Sequence, residues 1–216
     1  MAIALEAVLL YDATLVSGER DRDERPVRDL PETALVAQAR TGDFVAFEEL
    51  VRRYRNDVFR LAYRFVRNRE DAWDLSQEVF IKAHRSLSRF RGDAQFKTWL
   101  LRITANQCKD ALKKRRLRTV AFDERLQSEA TSGAIGPARA LQAKETGEAI
   151  AKAMDGLSHK HRTAFVLREF EGLSYEEMAQ VMDCSLGTVM SRLHHARKKL
   201  QKRLIQLGVA EGRTDA

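Results

Sequence analysis

In this 216-residue chain, the residues best suited to chemistry lie on one face of a predicted helix near the C-terminus. The stretch from Ser185 to Arg203 contains no acidic residue, and the face carries hydroxyl, imidazole and basic groups. At about 100° per residue, its members are Thr188, Ser191, Arg192, His195, Lys199 and Lys202. Hydrogen-bond donors and positive charge suit an anionic ligand. A solvated basic helix or a partner-binding helix has the same composition, so charge alone leaves these alternatives open.

The residues around this face predict a helix-turn-helix. Ser174 and Glu177 have the spacing of a capping box that starts a short helix, and Asp183 with Cys184 interrupts it. Ser185 then caps a second helix, whose apolar stripe is Leu186, Val189, Leu193, Ala196, Leu200 and Leu204. In this motif the second helix enters the DNA major groove and contacts bases near its N-terminal end. The predicted base contacts are Thr188, Ser191, Arg192 and His195, and the predicted phosphate contacts are Lys198, Lys199, Lys202 and Arg203.

The sequence offers no metal site, cofactor site or catalytic centre. Its five histidines lack H-E-x-x-H or other ligand spacing, and its two cysteines, Cys108 and Cys184, are far apart. No phosphate-binding P-loop is present, and no nucleophile, base and orienting group form a convincing set. We therefore expect a protein that is not an enzyme and needs no cofactor.

The composition favours a cytoplasmic partner of nucleic acid. The net charge is +7, and basic residues cluster within 102–118 and 192–203. With 44% hydrophobic and 32% charged residues, the chain is too polar for a membrane protein. Its N-terminal stretch has no basic region and carries Glu6 inside a short apolar run, so neither export nor stable membrane insertion is expected. Two cysteines without a pairing pattern agree with a reducing compartment.

The pattern along the chain predicts an all-α fold of two small helical domains joined by a flexible linker. The predicted segments are a mobile tail over residues 1–30, a first domain over 31–118, a linker over 119–142, a helix-turn-helix domain over 143–207 and a tail over 208–216. About twenty flexible residues typically span about 25 Å, and about 65 Å when taut. The domains could therefore bind DNA sites more than one turn, about 34 Å, apart.

Apolar periodicity predicts four helices in the first domain. A short helix over 31–40 is followed by a longer one capped by Asp43, a third over about 70–89 and a fourth over about 95–116. A break at residues 90–93, FRGD, separates the last two. Trp99 shares the apolar side of the fourth helix with Phe96 and Ile103, so we expect it in the core.

Three stretches, in this order, resemble one family. DAWDLSQEVFIKAH is similar to the core-polymerase-binding helix of the bacterial extracytoplasmic-function sigma factors, a group of the sigma-70 superfamily. RFRGDAQFKTWLLRITANQCKDALKKRR resembles their region that recognises the −10 promoter element. GLSYEEMAQVMDCSLGTVMSRLHHARKKL resembles their helix-turn-helix for the −35 element. The resemblance covers about residues 32–204.

This resemblance implies a polymerase-binding role for a polar face of the third helix. In the family that helix docks on the clamp helices of the largest polymerase subunits. The corresponding residues are Asp71, Asp74, Gln77 and Glu78. From the residues alone, a plain solvated face would be the expectation, and the resemblance reverses that preference.

The resemblance also implies a site that captures an unstacked base of the −10 element, formed by Phe90, Arg91, Gly92, Asp93 and Asn106. Gly92 permits close backbone approach, Phe90 offers a stacking face, and Asn106 can hydrogen-bond a base edge. The alternatives are a core role for Phe90 and a plain surface amide for Asn106. Expected phosphate contacts nearby are Arg102, Lys109, Lys113, Lys114, Arg115 and Arg116.

Two positions in the second domain depart from the commonest family pattern. Met190 and His195 stand where many relatives carry Lys or Arg, which leaves more of the −35 recognition to Ser191, Arg192 and His194 or His195. By helical angle, Met190 is expected toward the apolar side, as is Arg197.

The resulting expectation is an alternative sigma factor that binds core RNA polymerase and promoter DNA. Opening a duplex costs about 1.4 kcal/mol per base step, while stacking one base on an aromatic ring returns roughly 1 to 3 kcal/mol. A few captured bases cannot hold a long bubble open, so polymerase is required. The family further implies control by an anti-sigma factor. Three rivals stay open: a helix-turn-helix regulator that acts without polymerase, a protein-binding module that only engages an anti-sigma partner, and a nucleic-acid enzyme.

Overall fold

The computed structural model describes residues 25–121 and 149–209. All regular secondary structure within these two ranges is helical, which confirms the predicted all-α fold. The chain divides after Ala121 into two compact units. Most of the predicted N-terminal tail and linker, and the chain end from residue 210, lie outside the described residues, so the predicted domain boundaries stay predictions.

The first unit contains five α-helices among its described residues. They are α1 Arg25–Arg28, α2 Glu32–Arg40, α3 Phe44–Val66, α4 Arg69–Ser86 and α5 Phe96–Ala121. A single 3-10 turn, Leu87–Arg89, follows α4. The connections between α2, α3 and α4 are short, so consecutive helices pack against one another.

Side-chain caps set where the two central helices begin. The Asp43 carboxylate accepts hydrogen bonds from the backbone N–H groups of Val45 at 2.9 Å and Ala46 at 3.2 Å. Asn68 caps α4 by accepting from the N–H of Asp71 at 2.9 Å. These caps satisfy N–H groups that have no partner inside the helix. The predicted cap at Asp43 is therefore confirmed.

Helix α3 is the centre of the first unit, because α2, α4 and α5 all pack on it. The buried side chains at this centre include Phe47, Leu50, Val58, Val79, Phe80, Leu87, Phe96 and Leu100. Each fully buried Leu or Phe contributes about 1.5 to 3 kcal/mol relative to an exposed one. This packing holds α4 and α5, which carry the predicted polymerase and −10 faces, in one rigid body.

A buried carboxylate ties the start of the unit to α3. Glu49, only 5% exposed, accepts hydrogen bonds from Arg52 and Arg53 at 2.7 Å. Arg53 also donates to the backbone oxygens of Arg28 and Leu30, both at 2.8 Å. Burial acts to raise the pKa of Glu49, but the two guanidinium groups outweigh it and hold that pKa below its ordinary value.

The second unit is a smaller bundle that ends in the helix-turn-helix. Its helices are α6 over residues 149–155, α7 His159–Glu169, α8 Tyr175–Met182 and α9 Leu186–Gln206. Helix α9 packs on both α7 and α8. Its side chains Val189, Leu193, Ala196 and Leu200 are buried there, four of the six residues of the predicted apolar stripe.

Helix α5 is longer than predicted, because it continues to Ala121 instead of ending near Arg116. The basic run KKRRLR predicts the end of the helix. Lys, Arg and Leu are good helix formers, however, and no Gly or Pro occurs before Gly133. A cluster of charge favours a solvated helix face and does not by itself break a helix.

Candidate nucleic-acid interface

Reciprocal capping bonds start α8, the first helix of the helix-turn-helix, and a left-handed residue ends it. The Ser174 N–H donates to Glu177 Oε2 at 2.8 Å, and the Glu177 N–H donates to Ser174 Oγ at 3.2 Å. At the other end of α8, Asp183 adopts a left-handed conformation with φ of 50°. The Cys184 N–H then donates to the Ala179 oxygen at 3.1 Å. The predicted capping box and the predicted break between the helices are both confirmed.

A second cap starts the helix that carries the predicted DNA contacts. Ser185 Oγ accepts from the Thr188 N–H at 3.3 Å and lies 2.9 Å from Thr188 Oγ1. Ser191 Oγ donates to the Thr188 oxygen at 3.0 Å. Because its side chain serves this first turn, Thr188 is half-buried. Ser191 remains exposed at the centre of the outer face.

The outer face of α9 is polar and basic over about three turns. Its exposed members are Ser191, His194, His195, Lys198, Lys199 and Lys202. Arg192 lies at one edge, half-buried, where its Nη1 donates to Cys184 Sγ at 3.4 Å. That bond directs the guanidinium along the turn between the helices. The predicted −35 contacts are thus brought to one surface, with Thr188 and Arg192 on one side of it.

A group of imidazoles lies beside this basic face. The His161 ring of α7 is 5.9 Å from the His195 ring, which is 5.7 Å from the His194 ring. Burial lowers the pKa of His161, and the nearby charges of Lys199, His195 and Arg192 lower it further. Positive charge is therefore already concentrated at these side chains. An approaching anion would reduce the repulsion between them.

Three residues of α9 differ from the prediction. Met190 and Leu186, expected toward the apolar side, are 50% and 41% exposed, and Arg197, expected on the same side, is exposed as well. The buried stripe is narrow, because α7 and α8 cover only the line through Val189, Leu193, Ala196 and Leu200. Met190 follows Val189 by one residue, about 100° around the helix, and so leaves this line.

Two basic side chains of α9 contact their own domain. Arg197 pairs with Glu169 of α7 at 2.6 Å. The Arg203 guanidinium lies against Gly156, where an added Cβ would stand 1.7 Å from its central carbon. Arg203 is exposed all the same, and its contact with DNA phosphates stays a prediction.

In the first unit, four predicted DNA contacts share an exposed line along α5. They are Arg102, Asn106, Lys109 and Lys113. Their spacings of four, three and four keep them on one helix face. Asn106, the one neutral member, lies between basic groups. This line suits a nucleic-acid backbone with one base edge contacted from its middle.

The loop before α5 is exposed except at its first residue. Arg91, Gly92 and Asp93 are exposed, and Gly92 adopts a left-handed φ of 81° that favours glycine. Phe90 differs from the open stacking face that we predicted, because it is 8% exposed. Its ring is 5.0 Å from Trp99 and 6.1 Å from Phe96. The core alternative for Phe90 therefore agrees with its position, and Trp99 is half-buried against the same core.

The predicted polymerase face lies on α4. Asp71, Asp74 and Glu78 are exposed, and Gln77 is half-buried. Glu78 Oε2 accepts a hydrogen bond of 2.9 Å from Gln107 Nε2 on α5. The α4 face is therefore joined directly to the helix that carries Asn106.

Gln107 and its second partner, Lys82, were missed by the sequence analysis. Gln107 is 5% exposed, and its amide oxygen accepts from the Lys82 ammonium. The sequence did indicate a buried position for Gln107. It lies seven residues, about two helical turns, after the core residue Leu100 and so on the same helix face. A polar side chain at a core position requires hydrogen-bond partners.

Comparisons with known proteins agree on one family. Sigma-70 region 2 matches residues 50–118, and Sigma-70, region 4 matches residues 147–200. The RNA polymerase sigma-H factor of Pseudomonas aeruginosa is 40% identical over 177 residues, which cover 79% of this chain and 92% of that protein. The ECF RNA polymerase sigma-E factor of Escherichia coli K12 is 37% identical over 182 residues, with 81% and 95% covered.

The chain belongs to the extracytoplasmic-function group of the sigma-70 family.

Two solved structures resemble the fold of this sigma factor. CnrH, solved in complex with the cytosolic domain of CnrY, has a TM-score of 0.60 and 26% identity, covering 81% of this chain and 97% of CnrH. The sigma factor RpoE from Bartonella quintana, solved with the anti-sigma factor NepR, has a TM-score of 0.60 and 28% identity, covering 74% and 96%.

Membership establishes the general role. The chain is an alternative sigma factor that binds core RNA polymerase and directs promoter-specific transcription initiation. The region 2 match includes all of α4 and most of α5, and the region 4 match includes α7, α8 and most of α9. The surfaces on α4 and α5 therefore fall inside the region 2 match, and the surface of α9 falls inside the region 4 match except for Lys202.

Within residues 25–121 and 149–209, no helix has the length and apolar character needed to cross a membrane. Within the same ranges, no group of three or more His, Cys, Asp or Glu side chains could hold a metal ion.

Proposed function

We propose that α9 recognises the −35 promoter element from the major groove. Ser191, Arg192, His194 and His195 contact base edges there, and Thr188 positions the first turn. Lys198, Lys199 and Lys202 lie farther along the helix and bind phosphates, which adds affinity without sequence information. The observation that carries this proposal is the acid-free outer face of a capped second helix, with its polar side chains exposed.

We propose a separate site for the −10 element on α5 and the loop before it. Asn106 hydrogen-bonds the edge of one unstacked base, while Arg102, Lys109 and Lys113 bind the backbone of the melted strands. Arg91, Gly92 and Asp93 form the exposed loop beside them. Phe90 supports that loop from within, because its ring packs on Trp99 and is not open to a base.

The polymerase contact belongs to α4 in this proposal. Asp71, Asp74, Gln77 and Glu78 present carboxylate and amide groups to a basic surface of the core enzyme. Such a contact positions α5 at the DNA, since Glu78 and Gln107 join the two helices at 2.9 Å.

We further propose how the domains and partners are arranged. The boundaries 31–118 and 143–207 enclose the two domains, and the segment between them lets each domain reach its own promoter element. CnrH and the Bartonella RpoE were each solved with a protein partner, and an anti-sigma factor is the partner that we propose for this chain. We assign no catalytic activity to the chain itself and place it in the cytoplasm with polymerase.

The test is run-off transcription with purified core polymerase and the full chain on a promoter library. We expect the transcribed templates to share two elements at a fixed separation. Core polymerase alone is the matched control and should select neither. Tight footprints on duplex DNA by the chain without polymerase would instead support an independent helix-turn-helix regulator.

A further inference from the structure

Met190 is the most exposed large hydrophobic side chain among the described residues, at 50%. It lies in the second turn of α9, beside Ser191 and one turn before His194. An exposed apolar side chain loses water contact only when something covers it. The described residues of the second unit leave half of Met190 open, because the packed side of α9 is the line through Val189 and Leu193.

The surface next to Met190 permits a close approach. Gly187, three residues earlier, is exposed, and an added Cβ there would meet no heavy atom within 4 Å. The bare first turn therefore leaves room beside the Met190 side chain. A helix that enters the major groove contacts bases from these first turns.

The chemistry of Met190 selects one class of contact. A thioether carries no charge and cannot gain affinity from phosphates, unlike the lysines farther along α9. It is long and flexible, and it packs well against irregular apolar groups. The C5-methyl group of thymine is the apolar group that the major groove presents.

We propose that Met190 is a specificity-determining residue that packs against the C5-methyl group of a thymine in the −35 element. The inference rests on the proposed role of α9 at that element. Met190 then adds selectivity without general affinity. Leu186, also exposed and one turn earlier, borders the same contact.

The experiment compares thymine with uracil, which differ only by this methyl group. A promoter is first selected with the holoenzyme, and each −35 thymine on either strand is then replaced singly by uracil. Open-complex formation is measured for wild type, Met190→Ala and Leu207→Ala. Leu207 is a matched control, since it is 46% exposed at the far end of α9.

At one position we expect uracil to slow the wild type about fourfold, the value for losing one buried methyl group. Met190→Ala should form open complexes equally on both templates, while Leu207→Ala should keep the fourfold difference. The inference is overturned if wild type ignores every uracil, if Met190→Ala keeps the penalty, or if the selected element contains no thymine. If the wild-type holoenzyme shows no base preference at any upstream position, the −35 assignment of α9 is overturned as well.

Discussion

Asn106 is the neutral residue in an otherwise basic line on α5, and this makes its contribution separable from that of its neighbours. Replacing it with Ala removes hydrogen-bond capacity without changing charge. We expect Asn106→Ala to weaken selection at one −10 base by about 1 to 3 kcal/mol, the usual value for one good base contact. The measurement is transcription by the holoenzyme across single-base variants of the −10 element.

Asn56→Ala is the control for this change, because Asn56 is an exposed amide on α3. It should leave the promoter profile unaltered. An unchanged profile in Asn106→Ala would remove Asn106 from the proposed contact.

Substitutions at Arg192 and Lys199 should distinguish a residue of α9 that gives sequence specificity from one that gives only affinity. Arg192→Ala removes a fork of donors near the start of the helix, so we expect relaxed selection at one upstream base pair. Lys199→Ala should weaken holoenzyme binding about equally on all promoters and lower the magnitude of the salt-dependence slope by about one. Binding titrations over a range of salt concentrations check both. If the two variants change promoter selectivity and salt dependence in the same way, the division into base and phosphate contacts is contradicted.

Residue types and spacing predicted the hydroxyl caps and the basic face, because both depend on local sequence. The burial of Phe90 and the exposure of Met190 were not predictable in this way. Phe90 is covered by Trp99 and Phe96 from α5, and Met190 is left open because α7 and α8 cover a narrow strip. Both outcomes depend on contacts between helices that periodicity alone does not define.

At the scale of the helix, the Glu49 cluster fixes the start of the first domain to α3. Glu49→Gln removes the charge that Arg52 and Arg53 share, and we expect a loss of about 1 to 2 kcal/mol of unfolding free energy at neutral pH. Because the pKa of Glu49 is lowered by folding, this stabilisation is present above its ordinary value of 4.5 and is lost as pH falls through the folded-state value.

Denaturant unfolding followed by tryptophan fluorescence suits this prediction, since both tryptophans, Trp73 and Trp99, lie in the first unit. Asp57→Asn is the control and should cost less, because the Asp57 side chain is 17% exposed whereas that of Glu49 is only 5% exposed. A difference between wild type and Glu49→Gln that stays constant from pH 7 to well below 4.5 would contradict the ion-pair account.

Helix α7 should also lose stability in acid, through its histidine and at a higher pH than the Glu49 cluster. The pKa of His161 is lowered in the folded chain, so the unfolded chain binds the proton more readily near pH 6.5. Stability of the second domain should therefore decline as pH falls below 6.5, and His161→Gln should reduce that decline. This decline is measured by amide hydrogen exchange in α7 at a series of pH values, with each rate corrected for the intrinsic exchange rate at that pH. His84→Gln, in the first unit, is the control, and an unchanged pH response in His161→Gln would contradict the prediction.

The sequence predicted the order of these helices better than their ends. The starts of α3, α8 and α9 follow from Asp43, Ser174 and Ser185, each a side chain that satisfies open N–H groups. The end of α5 did not follow from its basic run, since charge leaves helix propensity almost unchanged. The hydrogen bond between Gln107 and Glu78 required knowing which faces of α4 and α5 meet.

For the whole molecule, the account requires two DNA-contacting surfaces that act together only on polymerase. Each surface is small, and the energy of capturing one base, roughly 1 to 3 kcal/mol, is far below the cost of opening several base steps at about 1.4 kcal/mol each. The net charge of +7 gives attraction to DNA but supplies no means of strand separation. Strand opening must therefore depend on the core enzyme.

The most direct test measures strand opening at the −10 element of a selected promoter, by permanganate reactivity of its thymines. Four samples are compared: the full chain alone, core polymerase alone, both together, and both with Asp74→Lys in the chain. We predict reactive thymines with both wild-type components together, and a strong reduction with Asp74→Lys, which reverses charge on the polymerase face of α4. Equal opening by the chain without polymerase would contradict the account.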